Sequence, residues 1–200
     1  MPNALREQMP TNGYRYAIIT RQGPVFNDEG DTLGLGDLIL EYKRPIMNRD
    51  DGEEALAVRA SVKAPIGDPA HALGSGNWDF ALGALYQRQL TPHWRGYANF
   101  DWAFLGKPDW HSIGYQDTPV ALLATEYALA PRTTLVSFYR YQRNPLRIGS
   151  YEADKDAQEL GVGFNRRLRA KLVWSGVVSE DLNPETAPDL VVSTYFKIEW

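Results

Sequence analysis

The sequence contains no cysteine among its 200 residues, which excludes a disulfide framework, a thiolate metal site and a cysteine nucleophile. It has no run of about 18 apolar residues, so a membrane-spanning helix is excluded as well. Basic residues are not in excess: 21 Lys and Arg stand against 25 Asp and Glu, for a net charge of −4. Nucleic acid is therefore not expected as a partner.

Strict alternation of apolar and polar residues is the main feature that is present. In Ala55–Lys63, for example, Leu56 and Val58 share one face while Arg59 lies on the other. This period of two is typical of strands with one apolar face. The same alternation recurs in Trp78–Gln89, Tyr97–Phe104, Glu159–Asn165 and Leu190–Trp200.

Less regular alternation predicts further strands near Leu35–Arg44, Val120–Leu129, Leu135–Arg143 and Lys171–Glu180. We expect a single all-β domain over residues 1–200. Residues 1–32 would form an N-terminal segment with a loop and one strand at Tyr14–Arg21. Residues 33–200 would form a meander of about nine strands, which gives nine or ten strands in all.

Short and long connections alternate along this meander. Pro92-His93, Pro131-Arg132 and Leu168-Arg169 mark tight links. Long polar loops are predicted around Ile66–Asn77, Gly106–Thr118, Asn144–Asp156 and Asp181–Pro188. Outer-membrane barrels have short periplasmic turns and long external loops, and this chain follows that pattern. The pattern predicts an antiparallel up-and-down transmembrane β-barrel.

The composition of the polar faces favours a barrel whose apolar faces meet lipid. A water-exposed outer face is normally dense in charge. Here the polar faces carry Gly, Ser and Asn with charges spaced singly, which suits a crowded interior. Trp102 and Trp174 fall nearer mid-strand, so the aromatic girdle expected of such a barrel is only partly formed. A soluble β-barrel that encloses the same apolar residues in a ligand pocket is the alternative.

The final strand resembles the assembly signal of outer-membrane barrels, a terminal aromatic preceded by apolar residues two and four positions earlier. The residues in those places are Trp200, Ile198 and Phe196. The resemblance implies the barrel-assembly machinery as a partner.

A longer resemblance starts with Gly34-Leu-Gly-Asp37 and Ser61-Val-Lys-Ala-Pro-Ile-Gly-Asp68. It continues with Gly74-Ser-Gly-Asn-Trp-Asp-Phe-Ala-Leu-Gly83. These segments resemble an uncharacterised family of proteobacterial outer-membrane β-barrels. They are also similar to porin-like barrels encoded with meta-pathway (phenol degradation) genes. Members of these families usually have a leader and several strands before the first segment. In this chain Met1–Arg6 lacks the apolar core of a leader. We therefore interpret the chain as N-terminally truncated and as part of a larger barrel.

Two aspartates of these segments lie where strands meet the predicted external loops. We expect Asp37 and Asp79 to accept loop amide hydrogens or to pair with a nearby arginine, although a role in shaping turns is the simpler interpretation.

Charged and polar residues on the inward faces are the functional candidates by elimination. The predicted lumen-lining set is Arg59, Lys63, Asp79, Asn99, Asp101, Glu126, Glu159, Lys197 and Glu199.

Catalytic, cofactor and metal sites are not predicted. His71, His93 and His111 show no ligand spacing, and His111-Ser112 has no evident third partner. The glycine pairs Gly34-x-Gly36 and Gly161-x-Gly163 precede no helix, so neither forms a phosphate cradle.

We therefore expect a non-enzymatic protein of the Gram-negative outer membrane, in contact with outer-membrane lipid. The leading hypothesis is porin-like, passive uptake of small solutes. The family resemblance implies hydrophobic or aromatic solutes, and the substrate itself stays unknown. In a narrow barrel of about ten strands the lumen charges would pair and plug the interior, whereas twelve or more strands would leave a pore. A structural or surface-binding barrel without transport is the alternative in the same membrane.

Overall fold

The computed structural model describes residues 15–20, 23–29, 33–71, 73–107, 114–147, 149, 154–183 and 190–198. The regular secondary structure of these residues consists of β-strands and two short 3-10 turns. In chain order the strands are β1 (Arg15–Thr20), β2 (Gly23–Glu29), β3 (Leu38–Arg49), β4 (Glu54–Ala64), β5 (Asp79–Gln89), β6 (Trp94–Phe104), β7 (Gly114–Tyr115), β8 (Thr118–Ala130), β9 (Thr133–Gln142), β10 (Leu146–Arg147), β11 (Ala157–Arg169), β12 (Leu172–Asp181) and β13 (Leu190–Ile198). Short 3-10 turns occur at Asp50–Gly52 and Pro69–His71.

Nine of the strands form one sheet, in the order β13-β12-β11-β9-β8-β6-β5-β4-β3. Every neighbouring pair is antiparallel. Each long strand between the two edge strands therefore pairs with the long strands that precede and follow it in the chain. This is the up-and-down meander that the alternation and the connections predict.

Tight turns join the strands at one end of the sheet, which we call the turn end. They comprise residues 50–53, 90–93, 131–132 and 170–171. In the second of these, the Thr91 hydroxyl accepts the backbone N–H of Trp94 at 3.1 Å, which closes the turn locally. The predicted turn at Leu168-Arg169 is displaced: these residues belong to β11, and the turn is formed by Ala170 and Lys171.

The long connections lie at the opposite end, which we call the loop end. Two of them contact each other, because β7 pairs with β10. The backbone N–H of Gln116 donates to the Pro145 carbonyl at 3.0 Å beside this pairing. The Arg143 N–H donates to the Pro119 carbonyl at 3.1 Å. The second and third long loops are therefore held together as one unit.

The N-terminal strands are separate from the meander. β1 and β2 pair with each other in a two-stranded sheet, so segment 1–32 contains two described strands where the sequence predicts one. Within the described residues, β3 and β13 are the edges of the nine-stranded sheet. β3 extends to Arg49, beyond its predicted end, and passes through Pro45 with a bulge before Met47. Proline lacks a backbone donor and is tolerated at such an edge.

The exposure of the two faces of the sheet is the reverse of that in a water-soluble domain. Large apolar side chains lie on the more exposed face, with Phe80 at 53%, Phe100 at 49%, Val162 at 60% and Phe196 at 64%. The residues classed as buried in the described part are small or polar, or proline: Gly67, Thr118, Pro119, Gly161, Ser175, Ser179 and Asp181. Water-soluble domains bury Ile, Val, Leu and Phe instead. No helix in the described part of the chain has the length and apolar character needed to cross a membrane.

Candidate functional site on the polar face

An ion pair between Arg59 and Asp101 crosses the middle of the polar face. Arg59 lies on β4 and Asp101 on β6, with Gly83 of β5 opposite both. The guanidinium donates two hydrogen bonds to the carboxylate, from Nε at 2.6 Å and from Nη2 at 2.5 Å. A Cβ on Gly83 would lie 1.9 Å from Asp101 Oδ1. The absent side chain of Gly83 therefore lets two charges meet across an intervening strand.

A second charged cluster lies at the loop end of the same face. The Lys63 ammonium contacts the carboxylates of Asp37, at 3.4 Å, and of Asp79. It also donates to the Ser75 hydroxyl at 2.5 Å. One cation thus joins strand ends to the first long loop.

The two aspartates also bind loop backbone. Asp37 accepts the N–H groups of Gly67 and Ser75, each at 3.1 Å, and Asp79 accepts the N–H of Gly106 at 2.9 Å. The N–H of Ser75, with that of Gly67 and the Lys63 charge, holds the pKa of Asp37 below its ordinary value. The expectation that both carboxylates accept loop amides agrees with these contacts. Their cation is Lys63 and not an arginine.

Three further aspartates accept backbone N–H groups of the other long loops. Asp117 accepts the N–H of Leu105 at 3.3 Å, and Asp181 accepts the N–H of Asn183 at 2.9 Å. Asp156 accepts the N–H of Asn144 at 3.0 Å. These three aspartates are not among the sequence-predicted site residues. Each lies at the end of a strand or just outside it, on the side of a long loop, and that position is the sequence signal that identifies them.

Asp156 has the densest contacts of the three. Burial would raise its pKa, but hydrogen bonds from the Tyr141 hydroxyl, at 2.6 Å, and from the Asn144 backbone hold that pKa below its ordinary value. Arg147 lies 3.6 Å away. The Asp156 carbonyl accepts the Asn183 side-chain amide at 2.6 Å, which connects the third loop to the fourth.

The remaining predicted lumen residues are distributed along the face. Glu126 accepts the Tyr97 hydroxyl at 2.7 Å and lies opposite Arg95. Glu159 lies opposite Arg140, with 3.7 Å between their charged atoms. Asn99 is half-buried on β6. Glu199 falls outside the described residues.

Lys197 lines a polar cavity of about 660 Å³ at the turn end. Arg95, Arg132 and Arg167 line the same cavity, together with Glu126. Sequence reasoning does not identify the three arginines as site residues. Among the described residues, acidic and histidine side chains form no group of three that could hold a metal ion.

Aromatic side chains of the exposed face lie near the strand ends. At the turn end, the rings of Trp94 and Tyr127 are 4.8 Å apart, and Trp174 lies 4.8 Å from Phe164 in an edge-to-face arrangement. Trp174 is two residues from the start of β12 and Trp102 two residues from the end of β6, so both are nearer strand ends than the sequence suggests. Loop-end aromatics of the same face are Phe80, Trp102 and Phe104.

Two of the predicted assembly-signal residues belong to β13. Phe196 and Ile198 are exposed, at 64% and 60%, and the Phe196 ring stacks at 6.5 Å on Trp174 of β12. Trp200 lies outside the described residues.

Comparison with solved structures identifies the class of fold. The crystal structure of the COG4313 outer membrane channel from Pseudomonas putida F1 is similar to this chain with a TM-score of 0.65 and 21% sequence identity. The match covers 85% of this chain and 69% of that one. Together with the nine-stranded meander, this likeness confirms the predicted all-β, up-and-down transmembrane barrel fold.

The family is known from the sequence match. Residues 6–198 match the family described as "Protein of unknown function (DUF3187)", and the chain belongs to that family. A comparison with curated proteins found no match.

Proposed function

We propose that this protein is a β-barrel channel of the Gram-negative outer membrane that admits small solutes passively. The observation that carries the proposal is the inverted exposure of the sheet. Leu82 and Phe100 are exposed on one face, while the Arg59–Asp101 ion pair occupies the other. Lipid is the solvent that stabilises such an outer face, and water in a lumen suits the opposite face.

The aromatic residues support a membrane location. Transmembrane barrels carry an apolar band flanked by aromatic girdles at both interfaces. Here Trp94, Tyr127 and Trp174 lie at the turn end of the exposed face, and Trp102 and Phe104 lie at the loop end. We propose that outer-membrane lipid covers the band between them and that the barrel-assembly machinery recognises the β13 end.

An all-antiparallel barrel requires strands beyond the nine-stranded sheet. β3 and β13 both run from the loop end to the turn end, since eight antiparallel pairings separate them. Direct pairing of these two edges would be parallel. An all-antiparallel closure therefore adds an odd number of strands, which makes the total even, as in bacterial outer-membrane barrels. We propose that the lumen is formed in that larger barrel.

The structural neighbour is an outer membrane channel, which supports transport by this chain. The resemblance to meta-pathway porins supports hydrophobic or aromatic solutes as a finer proposal. A structural or surface-binding barrel is the second candidate, and one observation favours it. The Arg59–Asp101 ion pair spans three strands of the polar face, where an open lumen would be filled with water.

The soluble alternative fits poorly, because its apolar residues would have to surround an enclosed pocket. Val162 and Phe196 lie instead on the exposed face, at 60% and 64%.

Planar bilayers and liposomes test the proposal. Reconstituted protein is expected to give discrete conductance steps in KCl and to let liposomes swell in small sugars. Asp101→Asn should change the unitary conductance because it removes the carboxylate that accepts both hydrogen bonds from Arg59. Arg88→Gln removes a charge from the other face of the sheet and is the matched control. A folded barrel that inserts but neither conducts nor admits sugars would support the structural candidate. Failure of the chain to partition into detergent micelles would refute both membrane functions.

A further inference from the structure

The turn end of the polar face contains a cavity. Its volume is about 660 Å³, which is within the range of small-molecule sites. Among the described residues, the charged lining consists of Arg95, Arg132, Arg167, Lys197 and one carboxylate, that of Glu126. The lining side chains therefore carry a formal excess of three positive charges.

Contacts at the turn end hold the Arg95 side chain and the backbone of Arg132 and Arg167 in place. The backbone N–H of Arg167 donates to the Arg132 carbonyl at 2.9 Å, which holds the β8–β9 turn against β11. Arg95 Nε donates to the Gln89 side chain at 2.9 Å. Glu126 lies directly opposite Arg95 and already accepts the Tyr97 hydroxyl at 2.7 Å. The carboxylate thus lies on the Arg95 side of the cavity, which concentrates positive charge on the other side.

The two ends of the polar face differ in charge. At the loop end the carboxylates of Asp37, Asp79, Asp156 and Asp181 accept backbone N–H groups, with Lys63 and Arg147 beside them. At the turn end the described part of the cavity lining has a single carboxylate among four cations. A charge-lined recess concentrates ions of the opposite sign.

The neutral lining defines the class of ligand further. Thr133, Thr134 and Asn165 provide hydroxyl and amide donors beside the arginines. The Tyr195 ring and Val173 provide apolar contact for a carbon skeleton. Guanidinium groups bind carboxylates by paired, charge-assisted hydrogen bonds.

We infer that this cavity binds small organic carboxylates and gives the channel a preference for anions; the second half of the inference rests on the proposed function. Carboxylate binding requires only the folded barrel. It can therefore be tested whether or not the protein conducts.

The binding test uses ¹⁹F NMR of trifluoroacetate with the full chain in detergent. Its signal should broaden saturably, and trifluoroacetamide, the neutral analogue, should not. Arg132→Gln/Arg167→Gln should weaken binding by about tenfold, since each lost charge near the ligand contributes roughly threefold. The control Arg166→Gln/Lys171→Gln removes one charge from the outward-facing position next to Arg167 and one from the β11–β12 turn. It should leave binding within about twofold of the wild type.

The charge-retaining variant Arg132→Lys/Arg167→Lys keeps the test valid if the glutamine variant fails to fold. It should retain saturable broadening. Equal broadening by trifluoroacetamide would overturn the inference, as would unchanged binding in a folded glutamine variant or absence of saturable binding to the wild type.

Reversal potentials in a KCl gradient separate this inference from the proposed channel. The wild type should show a chloride-favouring potential that moves toward zero in Arg132→Gln/Arg167→Gln and not in Arg166→Gln/Lys171→Gln. Conductance without anion preference would refute the inference and leave the channel intact. Carboxylate binding without conductance would refute the channel and support the cavity.

Discussion

Removal of the Arg59–Asp101 ion pair should cost a measurable part of the stability of the barrel. The two hydrogen bonds, at 2.6 and 2.5 Å, join side chains that are 33% and 13% exposed. Hydrogen bonds between charged groups contribute about 1.5–3 kcal/mol when shielded, whereas exposed ion pairs contribute about 0.2–1 kcal/mol. The intermediate exposure predicts a coupling free energy of about 1–2 kcal/mol.

A double-mutant cycle measures this coupling. Arg59→Gln and Asp101→Asn should each lower the free energy of unfolding by about 2 kcal/mol, because each removes the two hydrogen bonds between these partly desolvated charges. The double variant should lose less than the sum of the two. Reversible urea unfolding in lipid vesicles, followed by the fluorescence of the six tryptophans, is a suitable assay.

The matched control cycle combines Asp101→Asn with Arg88→Gln, whose side chain lies on the other face. Its coupling should be zero within about 0.5 kcal/mol. If the Arg59–Asp101 coupling were also within that limit, the pair would be an incidental surface contact and the account of the polar face would be wrong.

Three further predictions concern the same sheet. Gly83→Ala should abolish the Arg59–Asp101 coupling, since the new methyl group would lie 1.9 Å from Asp101 Oδ1. A coupling that is retained when the Arg59–Asp101 cycle is repeated in this variant would contradict the prediction. Leu82→Arg should lower the free energy of unfolding by about 2–4 kcal/mol in vesicles, whereas Gln87→Arg on the polar face should lower it by less than about 1 kcal/mol; equal losses would refute the assignment of faces. The first long loop should be fully docked above the ordinary aspartate pKa, and docking should be lost as the pH falls through the depressed pKa of Asp37. Limited proteolysis of residues 65–78 should therefore increase as the pH falls through that value. In Asp37→Asn this pH dependence should disappear.

The alternation of residues was sufficient to predict the meander and its connections. Alternation reports which residues share a face, and the long loops show which strand ends lie together. It does not report where pairing stops. β6 begins at Trp94, three residues before its predicted start, because Gln89 and Arg95 continue the pairing toward the turn. β11 likewise continues through Arg167 to Arg169.

The contacts of the polar face depend on register and could be predicted only in part. Arg59, Gly83 and Asp101 fall in one row only when two strand pairings are known, since a shift of one residue moves each side chain to the other face. Pairing of Tyr115 with Leu146 joins two loops that are distant in sequence, and local turn chemistry does not predict it. The aspartates at strand ends were the signal that local sequence did contain.

Two adjacent residues of β6 test directly whether the apolar face of the sheet meets lipid and the polar face meets water. The natural sequence lacks cysteine, so Asn99→Cys and Phe100→Cys each introduce a single thiol. In vesicles, bimane attached at position 100 should be quenched by brominated lipid, and a charged water-soluble thiol reagent should modify position 99. Quenching by brominated lipid at position 99, with modification by the charged reagent at position 100, would show that the polar face meets the bilayer and would contradict the account.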